Sequence, residues 1–384
     1  MSLTIVPVFS GLDLNTFLDF PYSFYPKDSL WVPPIKSQER FLLSPTCHPF
    51  WNTAERCLFI AKRSGRMVGR IAAIIDHKYN AYAKELCGAF GFFECYHDQE
   101  ACAALLNSAA SWLKTRGMTY MRGPVNPSTN YSCGMLIDGF NEPPAIMMPY
   151  NPPYYGSMLE ACHMQKEEDL LAYRIFRTAL DIPPLLQTKM DHARANPNLS
   201  CRPADKKNLK ADIKIMLDLY RESWAKNWYF SPLTDLEEEA IVKELVTGLN
   251  PEFFVLFFYK GQPAAGMVAL PDLTHLLRKM RGSFRLSTPW DYLSVKERFQ
   301  EGYRIMLFGI RPKYRLLGLP ALLFEYMIKQ AQKKPELSWV EGSWVLERNK
   351  PICMLLEDFS GTITKRYRIY RRELDANACT ISMH

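Results

Sequence analysis

Apolar positions along the chain switch between the two-residue period of a strand and the 3.6-residue period of a helix. Leu3 to Val8 alternates as a strand, and Leu12 to Phe24 predicts a helix. Trp31-Val32-Pro33-Pro34 is an extended stop, because a proline disfavours helix in the residue before it. Glu55 to Lys62 and Met67 to Ile75 read as strands joined by the hairpin turn Ser64-Gly65-Arg66. Gly88 to Cys95 is a third apolar strand. Asp98 then caps a helix from Gln99 to Thr115, with Ala103, Leu106, Ala110 and Leu113 on one face and Gly117 past its end. Met118 to Arg122 is another strand.

The second half repeats this order. Ser200 to Pro203 predicts a strand and Ala211 to Ala225 a helix. Phe253 to Tyr259 and Pro263 to Leu270 form a hairpin around Lys260-Gly261-Gln262. Tyr303 to Ile310, Trp339 to Leu346 and Thr364 to Tyr370 are strands, with helices over Pro320 to Lys333 and Lys350 to Asp358. Two copies of one supersecondary order point to duplication and to two α/β domains. The boundaries expected are 1–180 for the first domain and 209–384 for the second. Between them Asp181 to Asn208, rich in Pro, Lys and Asn, reads as a linker. Asp272 to Gln300 reads as a basic insertion, expected to be partly mobile or to lie over a site.

Length and composition narrow the classes. A chain of 384 residues exceeds one ordinary core, and 48% hydrophobic with 13% aromatic residues excludes disorder. The most apolar run, Phe253 to Tyr259, is far short of the roughly 20 residues that cross a bilayer. No secretion signal is visible at the N-terminus, and ten cysteines lack CxxC pairs or metal-type spacing. The expectation is a cytoplasmic protein with reduced thiols and no bound metal. The net charge of +7 sits wholly in residues 191–384, which hold 30 basic and 23 acidic side chains; residues 1–190 hold 17 of each. A basic second half suits an anionic ligand, a nucleic acid or an anionic membrane surface.

Two segments carry chemistry. The first is Phe308-Gly309-Ile310-Arg311-Pro312-Lys313-Tyr314-Arg315-Leu316-Leu317-Gly318-Leu319-Pro320-Ala321-Leu322-Leu323, a strand turning into a helix. Such a turn points free N–H groups outward, and the helix dipole adds positive potential. Gly318 permits close backbone approach to a ligand, and Arg311, Lys313 and Arg315 add charge. The second runs from Trp344-Val345-Leu346-Glu347-Arg348-Asn349-Lys350-Pro351 through Glu357 to Lys365-Arg366-Tyr367-Arg368-Ile369-Tyr370 and reads strand, helix, strand.

These segments resemble the GNAT (Gcn5-related N-acetyltransferase) superfamily. The first is similar to its pyrophosphate loop, a strand ending in V-x-P-x-x-R-x-x-G-x-G/A. The resemblance implies cofactor contacts from Gly309, Ile310, Arg311, Arg315, Leu316, Leu317, Gly318 and Leu319. The second is similar to the family's closing strand–helix–strand, in which an Asn, here Asn349, starts the helix beside the pantetheine arm. The implied architecture is two tandem acyl-CoA N-acyltransferase-like domains of the α+β type, each a mixed twisted sheet flanked by helices. The implied co-substrate is acetyl-CoA or a longer acyl-CoA. Two departures stand out. Pro320, which has no N–H, replaces the usual Gly or Ala, and Leu356 stands where many members carry a Tyr acid.

The first half has matching pieces without the loop, since Tyr96-His97-Asp98-Gln99-Glu100 is acidic and contains no Gly. It is expected to shape the substrate side. The runs Gly123-Pro124-Val125-Asn126-Pro127-Ser128 and Met148-Pro149-Tyr150-Asn151-Pro152-Pro153-Tyr154-Tyr155 resemble a bacterial group of tandem GNAT-like proteins related to bacterial ceramide synthases.

GNAT chemistry is attack of an amine on a thioester, and it needs positioning, deprotonation and carbonyl polarisation. A splayed strand near Gly309 and Ile310 would offer a backbone N–H to the thioester oxygen. Glu341 and Glu347, flanking a strand end, are the first candidates for the base; either also reads as a surface charge or a cap. Asn126, Ser128, Asn130, Tyr131 and Tyr150 are candidate substrate contacts, with turn chemistry and rigid packing as the competing readings. Trp224 and Trp228, four apart, read as one helical face packed into the core, with the lining of an acyl-chain tunnel as the alternative. The leading expectation is acyl transfer from acyl-CoA to a small or lipid-like amine, with peripheral membrane contact allowed. An aminoacyl-tRNA-dependent (Fem-like) transferase and a non-catalytic acyl-CoA-binding module stay open as alternatives.

Overall fold

The computed structural model describes residues 2–179, 182, 184–283 and 301–374. In chain order the strands and α-helices are β1 (Leu3–Pro7), α1 (Gly11–Phe24), α2 (Lys36–Leu42), β2 (Ala54–Arg63), β3 (Arg66–Asp76), α3 (His77–Ala83), β4 (Cys87–Cys95), α4 (Gln99–Lys114) and β5 (Tyr120–Gly123). Then come β6 (Val125–Asn126), β7 (Ser132–Cys133), β8 (Met135–Asp138), α5 (Tyr155–Glu160), β9 (Gln165–Phe176), α6 (Pro184–Arg194), β10 (Leu199–Pro203), α7 (Leu209–Trp224) and α8 (Asp235–Gly248). The chain closes with β11 (Phe254–Tyr259), β12 (Gln262–Pro271), α9 (Thr274–Met280), β13 (Gly302–Ile310), α10 (Leu319–Gln332), β14 (Trp339–Leu346), α11 (Lys350–Asp358) and β15 (Thr362–Glu373). Residues 181–208, read from composition as a linker, carry α6 and β10. The insertion expected over Asp272 to Gln300 starts with α9; residues 284–300 lie outside the described residues.

The chain forms two compact units. One holds the described residues up to Asp169 and two later returns, beginning at Leu277 and Tyr367; the other holds Leu170 to Leu276 and the described residues up to Arg366. In the first, the sheet order is β1-β2-β3-β4-β5-β15. All neighbours are antiparallel except β4 and β5, which are parallel. In the second, the order β10-β11-β12-β13-β14-β9 is again antiparallel except for the parallel pair β13 and β14. The duplicated pattern is thus real, with a twist that periodicity does not reveal. The sixth strand of each sheet comes from the other half of the sequence.

Each unit has its own core. In the first, α4 lays Ala101, Cys102, Leu105, Leu106, Ala109, Ala110 and Leu113 onto the sheet, all buried, while Ala103 is only half-buried at the edge of that stripe. Asp98 caps the helix by accepting the Ala101 N–H at 3.0 Å. In the second, α10 buries Leu319, Leu322, Leu323, Met327 and Ile328 against Ile305, Ile310 and Phe359. The opposite face of β12 and β13 carries α7. A Cβ on Gly309 would lie 3.1 Å from the Leu219 backbone, so this glycine lets the helix seat directly on the strand.

Candidate active site

The strand–turn–helix expected around Gly318 is present in the second unit. β13 ends at Ile310, Pro312–Leu317 winds one 3₁₀ segment, and Gly318 takes the left-handed conformation at φ 72°. That geometry suits glycine and reverses the chain into α10. Pro320 sits in the first turn of α10, where its missing N–H costs no intrahelical bond. Among the described residues, the N–H groups of Gly318, Leu319 and Ala321 have no backbone acceptor. Arg315 is exposed beside them, with Nη2 donating to the Ser223 carbonyl at 3.2 Å. Arg311 instead turns to Glu222, 3.1 Å away, and Lys313 lies over the Tyr314 ring. Leu316 is fully exposed and Leu317 packs against the core. The turn is therefore a solvent-facing cradle of amides beside a guanidinium, a donor set that fits a diphosphate.

Next to the cradle the sheet splits. β13 and β14 pair in parallel from Gly302–Trp339 to Ile305–Gly342 and no further. A bulge in β13 between Ile305 and Leu307 accompanies the split. The separation thus begins before Gly309 and Ile310, and the Ile310 N–H already donates to Ser223 Oγ at 3.2 Å. On one face of β14, Leu356 of α11 fills the space over Gly342. Cys353 is buried on the same helix, and burial pushes its thiol up. Tyr173 on β9 donates to Glu357 Oε1 at 2.9 Å, and desolvation holds its phenol protonated well above the usual range. Asn349 is the residue before the first turn of α11, and its side chain makes no cap bond.

Alternation puts Glu341 and Ser343 on the other face of β14. Glu341 is completely buried, and its two oxygens take Arg174 Nε and Ser343 Oγ, each at 2.7 Å. Arg304 donates from Nε to Ser343 Oγ and from Nη2 to the Ser343 carbonyl, both at 2.9 Å. Glu347 is half-buried and paired with Arg366 at 2.6 Å. Trp224 does not share a helical face with Trp228, because α7 ends at Trp224 and Trp228 falls in the following loop. The Trp224 indole donates to the Phe308 carbonyl at 2.8 Å and meets the Trp344 ring edge-on at 5.5 Å. Tyr220 and Phe230 extend this aromatic wall. Ser343, Arg304, Arg174 and Trp344 were not singled out on sequence. The contacts that join them to the rest of the network span up to 167 residues, as for Arg174 and Glu341, and no local pattern marks them.

The first unit has the same split, but its own chain fills it. After the parallel pairs Cys87–Tyr120 to Ala89–Arg122, the Asn126 side-chain oxygen accepts the Phe92 N–H at 2.6 Å. A Cβ on Gly91 would lie 1.8 Å from the Val125 carbonyl oxygen. At the start of α4, Asp98 occupies the amide that a phosphate would need, and Arg63 pairs with it at 2.7 Å. The candidate substrate cluster is likewise engaged within the unit. Ser128 Oγ accepts the Asn130 N–H, Tyr131 packs edge-on to His48, and Tyr150 offers its carbonyl to the Tyr25 hydroxyl. For Asn126 and Ser128, whose side-chain oxygens accept backbone N–H groups, these are turn and loop-closing contacts.

Two units, each with one parallel strand pair that splits beside a strand–turn–helix, define a tandem GNAT fold. Among solved structures, a tandem GNAT protein from the clavulanic acid biosynthesis pathway matches 97% of this chain and 99% of its own, with a TM-score of 0.54 at 10% identity. No protein-family model matches the sequence. The chain is 30% identical to the bacterial ceramide synthase of Caulobacter vibrioides over 378 residues, covering 97% of this chain and 98% of that one. It is also 29% identical to protein YghO of Escherichia coli over 373 residues, 94% of this chain and 93% of that one. This chain belongs to the bacterial tandem GNAT-like family that contains these proteins.

Proposed function

We propose that the chain transfers an acyl group from an acyl-CoA to an amine, with the thioester held in the second unit. The observation that carries this reading is the cradle from Arg315 to Ala321, set beside a split strand pair. In it, Arg315 and the amides of Gly318, Leu319 and Ala321 hold the diphosphate. Gly309, Ile310, Arg311, Leu316 and Leu317 shape the loop, and Asn349 meets the pantetheine amides. The relative named as a ceramide synthase favours a long-chain amino alcohol as acceptor and a fatty acyl chain as donor group. The aromatic wall of Tyr220, Trp224, Phe230 and Trp344 supplies an apolar flank for such chains. A lipid-like acceptor calls for peripheral membrane contact by a cytoplasmic protein. No helix among the described residues is long and apolar enough to cross a membrane.

One observation favours a second reading. Leu356, buried where a Tyr acid would stand, fits a module that binds acyl-CoA without turnover. The test is release of free thiol when the protein is mixed with palmitoyl-CoA or acetyl-CoA and the long-chain amino alcohol sphinganine. The expected result is thiol release that requires the amine and is faster with palmitoyl-CoA. Binding of the thioester without release with any amine would leave the binding module as the account.

A further inference from the structure

The first residue of β14 beyond its last pairing with β13 is Ser343, which puts one hydroxyl at the apex of the split. Its surroundings are unusually well defined. Ser343 Oγ donates to Glu341 Oε1 at 2.7 Å and accepts from Arg304 Nε at 2.9 Å. The other oxygen of Glu341 accepts from Arg174 Nε at 2.7 Å. Arg174, Arg304, Glu341 and Ser343 are each at most 6% exposed. A hydroxyl has one donor and two acceptor positions. The donor and one acceptor are committed here, which leaves one lone pair. Glu341 itself is out of reach of a substrate, because it is buried and both its oxygens are engaged.

We propose that Ser343 Oγ is the group that meets the acceptor amine, and that it relays the amine's proton to Glu341. This rests on the acyl-transfer reading above. The neutral amine nitrogen attacks the thioester carbon, a C–N bond forms, and the C–S bond breaks with its electron pair leaving on sulfur. The N–H proton passes to Ser343 Oγ, and the hydroxyl's own proton passes to Glu341 Oε1. It then returns by the same route to the CoA thiolate or to solvent, which closes the cycle without another reactant. Arg304 holds the hydroxyl in line through Nε and fixes the Ser343 carbonyl through Nη2. Arg174 keeps the carboxylate in place from its far side. Arg174 and Arg304 are thus positioning residues, and Ser343 is the one that touches substrate.

The experiment compares wild type, Ser343→Ala and Ser343→Thr in amine-dependent thiol release from palmitoyl-CoA with sphinganine. Free-CoA binding is followed in parallel by thermal shift. For Ser343→Ala the expected result is a loss in kcat of about 100-fold or more. The residual rate should rise with pH more steeply than the wild-type rate, as solvent base takes the N–H proton that the relay no longer carries, and the CoA shift should stay unchanged. Ser343→Thr, which keeps the hydroxyl, should recover most of the rate. A kcat for Ser343→Ala within about threefold of wild type with the same pH profile overturns the relay alone. A wild-type protein that binds CoA yet releases no thiol overturns the acyl-transfer reading, and the relay falls with it.

Discussion

Replacing Gly318 with tryptophan should abolish the thermal stabilisation that free CoA gives the protein. Two effects combine at this position. The residue sits at φ 72°, where any L side chain is strained by about 1–2 kcal/mol. A tryptophan Cβ and ring would also project from the turn whose amides face solvent. The variant should still fold, because the cost is small against two buried cores, and its own melting temperature should fall only modestly. Ligand present at 100 times its dissociation constant stabilises the wild type by about 2.7 kcal/mol. The variant should show essentially none of that gain. Circular dichroism melts with and without CoA measure both quantities at once, and an unchanged CoA shift would put the cradle elsewhere.

Glu341→Leu should be among the most damaging single substitutions in the second unit. One carboxylate there serves Arg174 directly and Arg304 through Ser343, in a region with almost no solvent access. Removing it takes away the carboxylate that faces Arg174 and anchors Ser343, and breaking a buried pair from one side costs about 3–5 kcal/mol. In a unit of this size that corresponds to a drop in melting temperature of roughly 10 °C. Arg174→Met combined with Glu341→Leu should cost less than the sum of the two single changes, because the pair is coupled. Strict additivity in chemical denaturation would mean that the two side chains do not act together.

Much of this architecture was legible in the order of apolar positions. Strands such as Glu55–Lys62 and Trp339–Leu346 alternate or run apolar between clear turns, and the structure returns them within a residue or so. α11 matches its expected bounds because Pro351 and the residues around Asn349 mark its start. Elements whose local signals conflict were harder. β9 opens on Gln165-Lys166-Glu167-Glu168-Asp169, which reads as a surface run, yet its second half is buried in the second unit's core. α8 hides its apolar stripe among five acidic residues, although Thr234 and Glu237 form a full capping box.

At the site, the loop was readable because its chemistry is contiguous: a strand end, three basic residues, one glycine and a helix within a dozen positions. The network under the split was not. On sequence Glu341 is a strand-end carboxylate; Arg174 of β9, which bonds it directly, and Arg304 of β13, which reaches it through Ser343, are brought to it only by the fold. In the polar cluster of the first unit, turn chemistry and ligand contact look alike on sequence. Asn126 looks like a ligand contact on sequence, while its oxygen is taken by the Phe92 amide inside that unit's own split. The sequence order records a duplication, and it does not record that one copy has closed its cleft with itself.

The most direct measurement of the central claim is amide hydrogen–deuterium exchange with and without free CoA. Peptides spanning Arg315 to Ala321 should become protected when CoA binds, because those amides change from solvent to phosphate as partner. The matching turn of the first unit, Tyr96 to Glu100, should exchange at the same rate in both conditions. Protection at Tyr96 to Glu100 with none at Arg315 to Ala321, or no change at either turn under saturating CoA, would contradict the account.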